Sequence, residues 1–321
     1  MLSVHLENGR VELRSRPMPQ RRLGHALIRL LCAGICNTDL ELQRGYYSFS
    51  GTPGHEFVGE VVEADDQALL GRRVVGEINL GCGRCDWCNR GWGRHCPRRT
   101  VLGIVKQPGT FSEYFTLPES NLHFVPDSVP TEHAVFTEPL AAACEILDQV
   151  RIPKRAPVAV LGDGKLGLLV AQVLHANGAG VHLYGKHKEK LAIARRAGIA
   201  TSLRPAGLYD WVVEATGSPD GLARSIGMAR PRGTVILKST VHGTVALDTA
   251  PVVVNEITLV GSRCGRFEPA LRLLRTGKIR IEEMISARLP LADAARAFEV
   301  AARKGSLKVL LQSSQRFNIG K

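Results

Sequence analysis

An apolar strand, a glycine-rich turn and a helical pattern follow one another directly in PVAVLGDGKLGLLVAQVL, residues 157–174. The turn has the spacing G-x-G-x-x-G. Its first glycine permits a tight turn, its second lets the backbone approach a pyrophosphate, and its third lets the helix pack closely on the strand. The N-terminus of the helix favours an anion, so the segment predicts a dinucleotide-binding turn rather than a glycine turn without a ligand. The predicted cofactor-binding residues here are Gly162, Gly164, Lys165, Leu166 and Gly167.

The end of the next strand, in GVHLYGKHKEK, indicates which dinucleotide binds. An NAD site has an Asp or Glu about 20 residues beyond the glycines, which accepts hydrogen bonds from the ribose 2′-hydroxyl. Here Gly185 takes that position and is followed by Lys186, His187 and Lys188. A missing carboxylate beside cations leaves room and charge for a 2′-phosphate. The sequence therefore predicts NADP, with NAD as the alternative if these cations are only surface charges at a helix start.

The pattern of the chain predicts two domains. With 321 residues the chain exceeds the size at which one hydrophobic core stops growing. Residues 1–130 are rich in turn residues and β-branched runs, which favours a β-rich domain. Residues 131–280 alternate apolar strands with amphipathic helices, which indicates a parallel, doubly wound α/β sheet. Residues 281–321 return as one strand, one helix and a final strand.

Composition excludes some classes of function. No apolar run reaches the roughly 20 residues of a membrane helix, and the opening residues lack the apolar core of a signal peptide, so we expect a cytoplasmic protein without a membrane partner. The net charge of +12 is scattered in short pieces without a nucleic-acid motif. A basic surface that attracts an anionic cofactor or substrate explains it better than a nucleic-acid partner.

Four cysteines are crowded into GCGRCDWCNRGWGRHC, within residues 81–97. In a reducing cytosol such a cluster is better interpreted as metal-binding than as disulfides. Four thiolates fill the tetrahedral shell of zinc and leave no position for substrate. The spacing therefore predicts a structural zinc site rather than a chance group of free thiols. Its ligands are Cys82, Cys85, Cys88 and Cys96.

A catalytic zinc needs an open fourth position, and other residues are candidates for it. Cys36 lies in GICNTD, His55 and Glu56 lie in GHEFVGEV, and Glu138 lies in TEPLAA. A thiolate, an imidazole and a carboxylate would hold zinc and leave room for an alcohol or carbonyl oxygen. Taken singly, a cysteine is more often a core residue and a glutamate more often solvated, so the local contexts support the assignment.

In order along the chain, these motifs resemble those of the zinc-dependent medium-chain dehydrogenase/reductase family, which includes alcohol, sorbitol and threonine dehydrogenases. The similar segments are GICNTD, GHEFVGEV, the four-cysteine lobe, GTFSEYFTLP, EPLA, the glycine turn and EATG. The resemblance implies a GroES-like β-barrel catalytic domain completed by the C-terminal segment, a Rossmann domain, and a substrate zinc in the cleft between them. Members of the family are usually homodimers or homotetramers.

The resemblance also implies roles for single residues. Cys36, His55 and Glu138 would be the catalytic zinc ligands. Glu56 would either support these ligands without binding the metal or replace one of them as a ligand. Asp39 would hydrogen-bond the ring of His55. The remaining implied roles are a proton relay through Thr38 and a nicotinamide contact through Thr216 and Gly217.

One position departs from the family pattern. Many alcohol dehydrogenases of this family end the proton relay at a histidine five positions after the cysteine ligand, where this chain has Glu41. Glu41, ribose hydroxyls with water, or a histidine from elsewhere could be the terminal base. Nearby, Tyr46, Tyr47 and Phe49 could line a substrate pocket or pack in the core.

The sequence thus predicts a zinc-dependent oxidoreductase that interconverts a small-molecule alcohol, polyols and sugars included, with its carbonyl by hydride transfer to or from NADP or NAD. Two zinc ions per chain are expected, one catalytic and one structural. Two alternatives use the same fold. One is a catalytically silent, cofactor-binding regulatory protein, and the other is a zincless quinone-type reductase, which the retained zinc ligands disfavour.

Overall fold

A computed structural model of the chain describes residues 1–241 and 243–313. The contacts divide the chain into two compact units, Met1–Glu138 with Ile285–Lys321, and Pro139–Met284. Both boundaries lie later in the chain than the sequence pattern predicts. Residues 131–138 belong to the first unit because Val135 and Phe136 are buried there against Gly34 and Lys308. Residues 314–321 of the predicted return segment lie outside the described residues.

The first unit is rich in short strands. Its largest sheet has the order β10-β5-β4-β3-β18-β17, with β9 also paired to β3. The strands are β1 Leu2–Glu7, β2 Arg10–Ser15, β3 His25–Ile35, β4 Glu56–Glu63, β5 Arg73–Gly76, β6 Asn79–Leu80, β7 Thr100–Leu102, β8 Lys106–Gln107, β9 Tyr114–Pro118, β10 Leu122–Phe124, β17 Ile285–Pro290 and β18 Lys308–Gln312. The helices are α1 Asn37–Gln43, α2 Asp86–Asn89, α3 Thr131–Ala134 and α10 Ala294–Ala302, with α4 Thr137–Gln149 crossing the division between the units.

The C-terminal segment completes this sheet. Strand β18 lies antiparallel to β3, with Val309 opposite Ile35, and is parallel to β17 on its other side. The apolar run of β18 is buried, as expected for a strand inside a sheet. Residues from opposite ends of the chain therefore meet at the C-terminal end of β3, immediately before Cys36.

The second unit is a single six-stranded parallel sheet in the order β13-β12-β11-β14-β15-β16. Renumbered within the unit this is 3-2-1-4-5-6, the order of a dinucleotide-binding fold, and it confirms the predicted doubly wound sheet. The strands are β11 Pro157–Leu161, β12 Gly180–Tyr184, β13 Ala200–Ser202, β14 Tyr209–Glu214, β15 Ala229–Leu237 and β16 Thr258–Gly261. The helices are α5 Lys165–Ala176, α6 Lys188–Arg196, α7 Gly221–Gly227, α8 Ala250–Val254 and α9 Phe267–Arg275.

The core of this unit follows from its sequence. The central strand β11 is an almost continuous apolar run, and Val158, Ala159, Val160 and Leu161 are all buried because both faces of the sheet are covered. The helix α5 that follows is buried along most of its length. Within the described residues, no helix has both the length and the apolar character needed to cross a membrane.

Candidate metal and cofactor sites

Three candidate zinc ligands, Cys36, His55 and Glu56, lie together in the first unit. One sulfur, one ring nitrogen and one carboxylate oxygen from these residues lie within 4.8 Å of one another. Cys36 directly follows β3, whereas Glu56 is the first residue of β4, and the antiparallel pairing of Gly34 with Glu56 brings the two segments side by side. A thiolate, an imidazole and a carboxylate at this spacing form a donor set that fits zinc.

Asp39 is fully buried and fixes the segments on both sides of this group. Its carboxylate accepts hydrogen bonds from the backbone N–H groups of Cys36 at 2.8 Å and Gly54 at 3.2 Å. Its Oδ1 lies 3.6 Å from Nδ1 of His55. This is longer than a hydrogen bond, so the predicted contact with the ring is electrostatic.

The surroundings change the acidity of His55. Burial alone lowers the pKa of His55, but the carboxylate of Asp39 and the sulfur of Cys36 raise it, and the net pKa lies well above its usual value. A metal that binds the imidazole must therefore compete with a proton for the ring.

Close packing fixes the turn before His55. Gly54 has a φ of +100°, and a Cβ at this position would overlap the ring of the buried Phe111. On the other side, Gly103 and Gly109 approach the backbone of this turn so closely that a Cβ on either would overlap it. The backbone leading to His55 is thus held from several directions, as precise ligand positioning requires.

A buried lysine, Lys308, forms an ion pair with Glu56. Both side chains are about 1% exposed, and Lys308 Nζ donates a hydrogen bond to Oε2 of Glu56. Gly34 makes room for the pair, because a Cβ there would lie 2.7 Å from Oε2 of Glu56 and 3.0 Å from Cδ of Lys308. Burial alone lowers the pKa of Lys308, but the charges of Glu56 and Cys36 raise it above its usual value.

Sequence reasoning missed Lys308. It stands at the start of an apolar strand, where a lysine ordinarily extends into solvent, and only the register of β18 against β3 brings it to Glu56. The only indication in the sequence is a lysine directly before the apolar run of β18.

Glu138, the carboxylate that the sequence predicts as the third ligand, is not in the group of Cys36, His55 and Glu56. It is half-buried at the second position of α4, where other contacts engage it. The structure brings Glu56 to the cysteine and the histidine instead, and the ligand role of Glu138 stays a prediction.

The helix after Cys36 contains the proposed proton relay. Thr38 is half-buried, and its hydroxyl oxygen lies 3.8 Å from the sulfur of Cys36. Glu41, in the position of the missing histidine, forms an ion pair with Arg44 at 2.5 Å. The side chain of Glu41 is 47% exposed, and its partner is an exposed surface arginine.

The aromatic residues after this helix are not all core residues. Tyr47 is 63% exposed, and Tyr46 is also exposed. The two rings contact each other, with centroids 4.1 Å apart and hydroxyls 3.2 Å apart. The core alternative is therefore wrong for both tyrosines, whereas Phe49 is half-buried.

The four clustered cysteines are brought together as the spacing predicts. Their sulfurs lie within 4.8 Å of one another, and Sγ of Cys85 lies 3.6 Å from those of Cys88 and Cys96. Four sulfurs bound to one zinc at about 2.3 Å would lie about 3.8 Å apart, so the cluster fits a tetrahedral zinc. None of the eight cysteines, all of which lie in the described part of the chain, forms a disulfide, so these four thiols are available as ligands.

The acidities of these thiols differ. A hydrogen bond from the backbone N–H of Arg84 lowers the pKa of Cys82 to about 6, and one from the N–H of Cys88 lowers the pKa of Cys85. Desolvation raises the pKa of Cys88 to about 11. Cys82 is thus a thiolate at neutral pH, whereas Cys88 must lose a proton when a metal binds.

In the second unit, the glycine turn has the shape that a pyrophosphate requires. Gly162 has a φ of +115°, and a Cβ on it would overlap the carbonyl of Ala215, just as a Cβ on Gly167 would overlap the carbonyl of Gly162. Gly164 differs, since a Cβ there would meet no atom within 4 Å. Two glycines thus allow close packing, and the third leaves open space at the N-terminus of α5, where an anion is favoured.

A carboxylate that the sequence analysis did not consider lies at the end of β12. Asp163, inside the glycine turn, accepts hydrogen bonds from the backbone N–H groups of Lys186 at 2.7 Å and His187 at 2.6 Å. Lys186 and Lys188 are exposed, whereas Asp163 is buried. The sequence signal was the acidic residue within the glycine motif itself.

The EATG segment is organised by its glutamate. Glu214 is buried and accepts hydrogen bonds from the backbone N–H of Thr216 at 2.8 Å, from its hydroxyl, and from the hydroxyl of Ser239. Ser239 in turn accepts a hydrogen bond from the N–H of Gly217 at 3.0 Å. The segment predicted to contact the nicotinamide is thus a rigid loop after β14, in which the donors of Thr216 are already engaged.

Comparison with known proteins identifies both units. The model of the alcohol dehydrogenase GroES-like domain matches residues 22–127, and that of the zinc-binding dehydrogenase domain matches residues 166–276. The D-altritol 5-dehydrogenase of Agrobacterium fabrum is 30% identical over 310 residues, covering 90% of this chain and 92% of that protein.

Solved structures show the same fold. A protein described as a zinc-binding dehydrogenase from Sinorhizobium meliloti 1021, bound to NADP, superposes with a TM-score of 0.90 at 29% identity, over 97% of this chain and 98% of that one. An alcohol dehydrogenase from Escherichia coli CFT073, complexed with NADH, gives a TM-score of 0.90 at 25% identity, over 97% and 99%. These matches confirm the predicted combination of a GroES-like and a Rossmann domain.

Proposed function

Since the chain belongs to the zinc-dependent medium-chain dehydrogenase family and is an alcohol oxidoreductase, we propose that it interconverts a polyol or sugar alcohol with its carbonyl, using two zinc ions per chain and preferring NADP. The observation that supports this most directly is the group of Cys36, His55 and Glu56, whose donor atoms lie within 4.8 Å of one another. The relative that acts on altritol suggests the substrate class.

The protein's residues would divide the work at the catalytic site. Cys36 and His55 hold the zinc, and the third ligand is a carboxylate, with Glu56 in the observed group and Glu138 as the alternative from the sequence. When bound, zinc supplies a Lewis acid that lowers the pKa of a substrate hydroxyl. Asp39 fixes the ring of His55 and the turn before it, so that the imidazole keeps its orientation.

The proton of the substrate hydroxyl leaves through Thr38. Its hydroxyl is 3.8 Å from the sulfur of Cys36, so it lies beside the proposed metal ligand and can accept and pass on a proton. The pairing of Glu41 with Arg44 argues against Glu41 as the terminal base. Ribose hydroxyls with water, or a histidine from elsewhere in the chain, would then be the terminal base.

The cofactor is held by the glycine turn of the second unit. Open space at Gly164 and the N-terminus of α5 suit a pyrophosphate. A bound nicotinamide supplies the hydride acceptor or donor. The exposed cations Lys186 and Lys188 favour NADP. The NADP-bound structural relative supports this preference.

The four-cysteine lobe takes a structural zinc. Its four thiols fill every tetrahedral position, so this ion stabilises the lobe and does not meet substrate. Thiols reserved as zinc ligands fit a reducing compartment such as the cytoplasm.

The protein forms a homodimer through the edge of its parallel sheet. This homodimer is either the complete assembly or the building block of a tetramer, the two states predicted from the sequence. Strand β16 ends the sheet, and no described strand pairs with its outer side. Beside it, Val253 and Val254 of α8 are strongly exposed, and Leu259 of β16 is also exposed. Unpaired backbone groups next to an apolar patch are typical of a strand that pairs with a second copy.

The proposal is tested with zinc-replete protein and a panel of polyols, sugar alcohols and aliphatic alcohols, with NADP and NAD, while nicotinamide absorbance is followed. We expect turnover with a polyol, two zinc ions per chain, and loss of both turnover and one zinc in Cys36→Ser. The control Cys264→Ser removes a thiol outside both groups and should keep both. Unchanged turnover in Cys36→Ser would refute the zinc mechanism. Cofactor binding without turnover on any alcohol would favour the silent regulatory alternative.

A further inference from the structure

Position 185, at the end of β12, has no carboxylate of its own, but another part of the chain supplies one there. A Cβ on Gly185 would overlap both Cβ and Oδ2 of Asp163. The side chain of Asp163 therefore occupies the space that a residue with a side chain would fill at the end of β12. This is the position from which a carboxylate usually accepts hydrogen bonds from the ribose 2′-hydroxyl.

The carboxylate of Asp163 is firmly held there. Its Oδ2 accepts the backbone N–H groups of Lys186 and His187, and Nδ1 of His187 lies 3.1 Å from both oxygens. The side chain of Asp163 is only 9% exposed. Most of these contacts are to Oδ2, so Oδ1 retains capacity to accept a further hydrogen bond.

Two opposed influences on a 2′-phosphate follow from this arrangement. Lys186 and Lys188 are exposed, and their attraction for a phosphate is weakened by solvent and salt. Asp163 is nearly buried, and its negative charge is screened much less. A 2′-hydroxyl can donate to this carboxylate, whereas a 2′-phosphate is repelled by it.

We propose that Asp163 is a specificity-determining residue, whose carboxylate substitutes from the glycine turn for the one missing at Gly185. It retains affinity for NAD and limits the preference for NADP. This inference rests on the proposed function, because it concerns the cofactor of that reaction. Asp163 and Gly185 act together, since a side chain on the second would displace the carboxylate of the first.

The experiment measures the dissociation constants of NADH and NADPH by nicotinamide fluorescence for wild-type protein and Asp163→Asn. This variant keeps the size of the side chain and removes its charge. We expect the preference for NADPH over NADH to rise about tenfold, because repulsion of the phosphate disappears while the amide is a weaker acceptor for the hydroxyl. Asp163→Ser provides a second neutral variant, and thermal melting verifies that each variant is folded.

A matched control removes the charge of a nearby carboxylate that does not make the hydrogen bonds that hold Asp163. Glu189→Gln neutralises an exposed carboxylate in the first turn of α6, and it should change the preference by less than about twofold. A purely structural role of Asp163 would weaken both cofactors equally in Asp163→Asn and leave their ratio unchanged. That result, or an equal change in Glu189→Gln, would overturn the inference.

A double substitution tests the equivalence of the two positions directly. Asp163→Gly with Gly185→Asp moves the carboxylate to the second strand, and glycine is needed at 163 because even a Cβ there would overlap the new side chain. The NADPH preference should fall back to the wild-type value or below it. A preference as high as that of Asp163→Asn would overturn the equivalence.

The same titrations also distinguish failure of the inference from failure of the proposed function. If wild-type protein binds neither nucleotide, the proposed function fails. If both nucleotides bind and the ratio of their dissociation constants is unchanged in Asp163→Asn, only the inference about Asp163 fails.

Discussion

Lys308 and Glu56 form a buried ion pair directly beside Cys36 and His55, although the two residues are separated by most of the chain. Burying two charges has a cost that is recovered only when both are present in good geometry. The lysine therefore influences what the carboxylate can do. With Lys308 in place, the buried carboxylate of Glu56 has a counter-charge, whether or not it also binds the metal.

Replacing Lys308 by Met should destabilise the protein by about 3–5 kcal/mol, because Glu56 is left buried without a counter-charge. Zinc should recover part of that loss, since a cation at Cys36 and His55 supplies the missing positive charge. Denaturant unfolding with and without zinc measures both effects. The double variant Lys308→Met with Glu56→Gln should be more stable than Lys308→Met alone. Equal destabilisation in the presence and absence of zinc would mean that Lys308 acts only through packing.

Glu56 and Glu138 are rivals for the third ligand position, and matched amide variants separate them. Because only Glu56 lies within the 4.8 Å group, Glu56→Gln should weaken the catalytic zinc about 10–100-fold, and Glu138→Gln should weaken it less. Competition with a chromogenic chelator measures the affinities. A larger loss in Glu138→Gln would restore the ligand set predicted from the sequence.

The affinity of the catalytic site for zinc should rise with pH. The pKa of His55 lies well above its usual value, so below that raised pKa the ring is protonated and zinc must displace the proton. The same proton stabilises the fold at low pH, and that contribution is lost as the pH rises through the raised pKa. Zinc titrations at about pH 6 to pH 8 measure the dependence.

Asp39→Asn provides the comparison for this pH effect. Without the carboxylate that raises the pKa of His55, this pKa should fall, and zinc binding near neutral pH should release fewer protons. An identical pH dependence in Asp39→Asn and wild type would contradict the role assigned to Asp39.

The distance in sequence between interacting residues explains which features could be predicted. The glycine turn and the four cysteines are local motifs, so their spacing alone indicates their shape. The parallel sheet with helices on both faces follows from the alternation of strands and helices. The pair of Lys308 with Glu56 depends on the register of β18 against β3, and the contact of Asp163 with residues 185–187 depends on two adjacent strand ends. A local pattern draws attention to Lys308 and Asp163 but does not identify their partners.

The structural zinc lobe should be tested apart from the catalytic site. Cys85→Ser removes one of four ligands, so it should abolish binding of one zinc per chain and raise hydrogen exchange around residues 81–97. Cofactor binding by the second unit should persist. Cys264→Ser again serves as the control and should keep two zinc ions per chain. Retention of both ions in Cys85→Ser would exclude a four-thiolate site.

The proposed dimer depends on the outer edge of β16 and the exposed end of α8. Val254 is 78% exposed, and Val254→Lys should shift the protein from dimer to monomer in sedimentation, because burying an unpaired lysine in the interface is costly. Leu23→Lys is the matched control, since Leu23 is 89% exposed in the other unit and should leave the assembly unchanged. A dimer that resists Val254→Lys and a second substitution, Leu259→Lys, would exclude this edge as the interface.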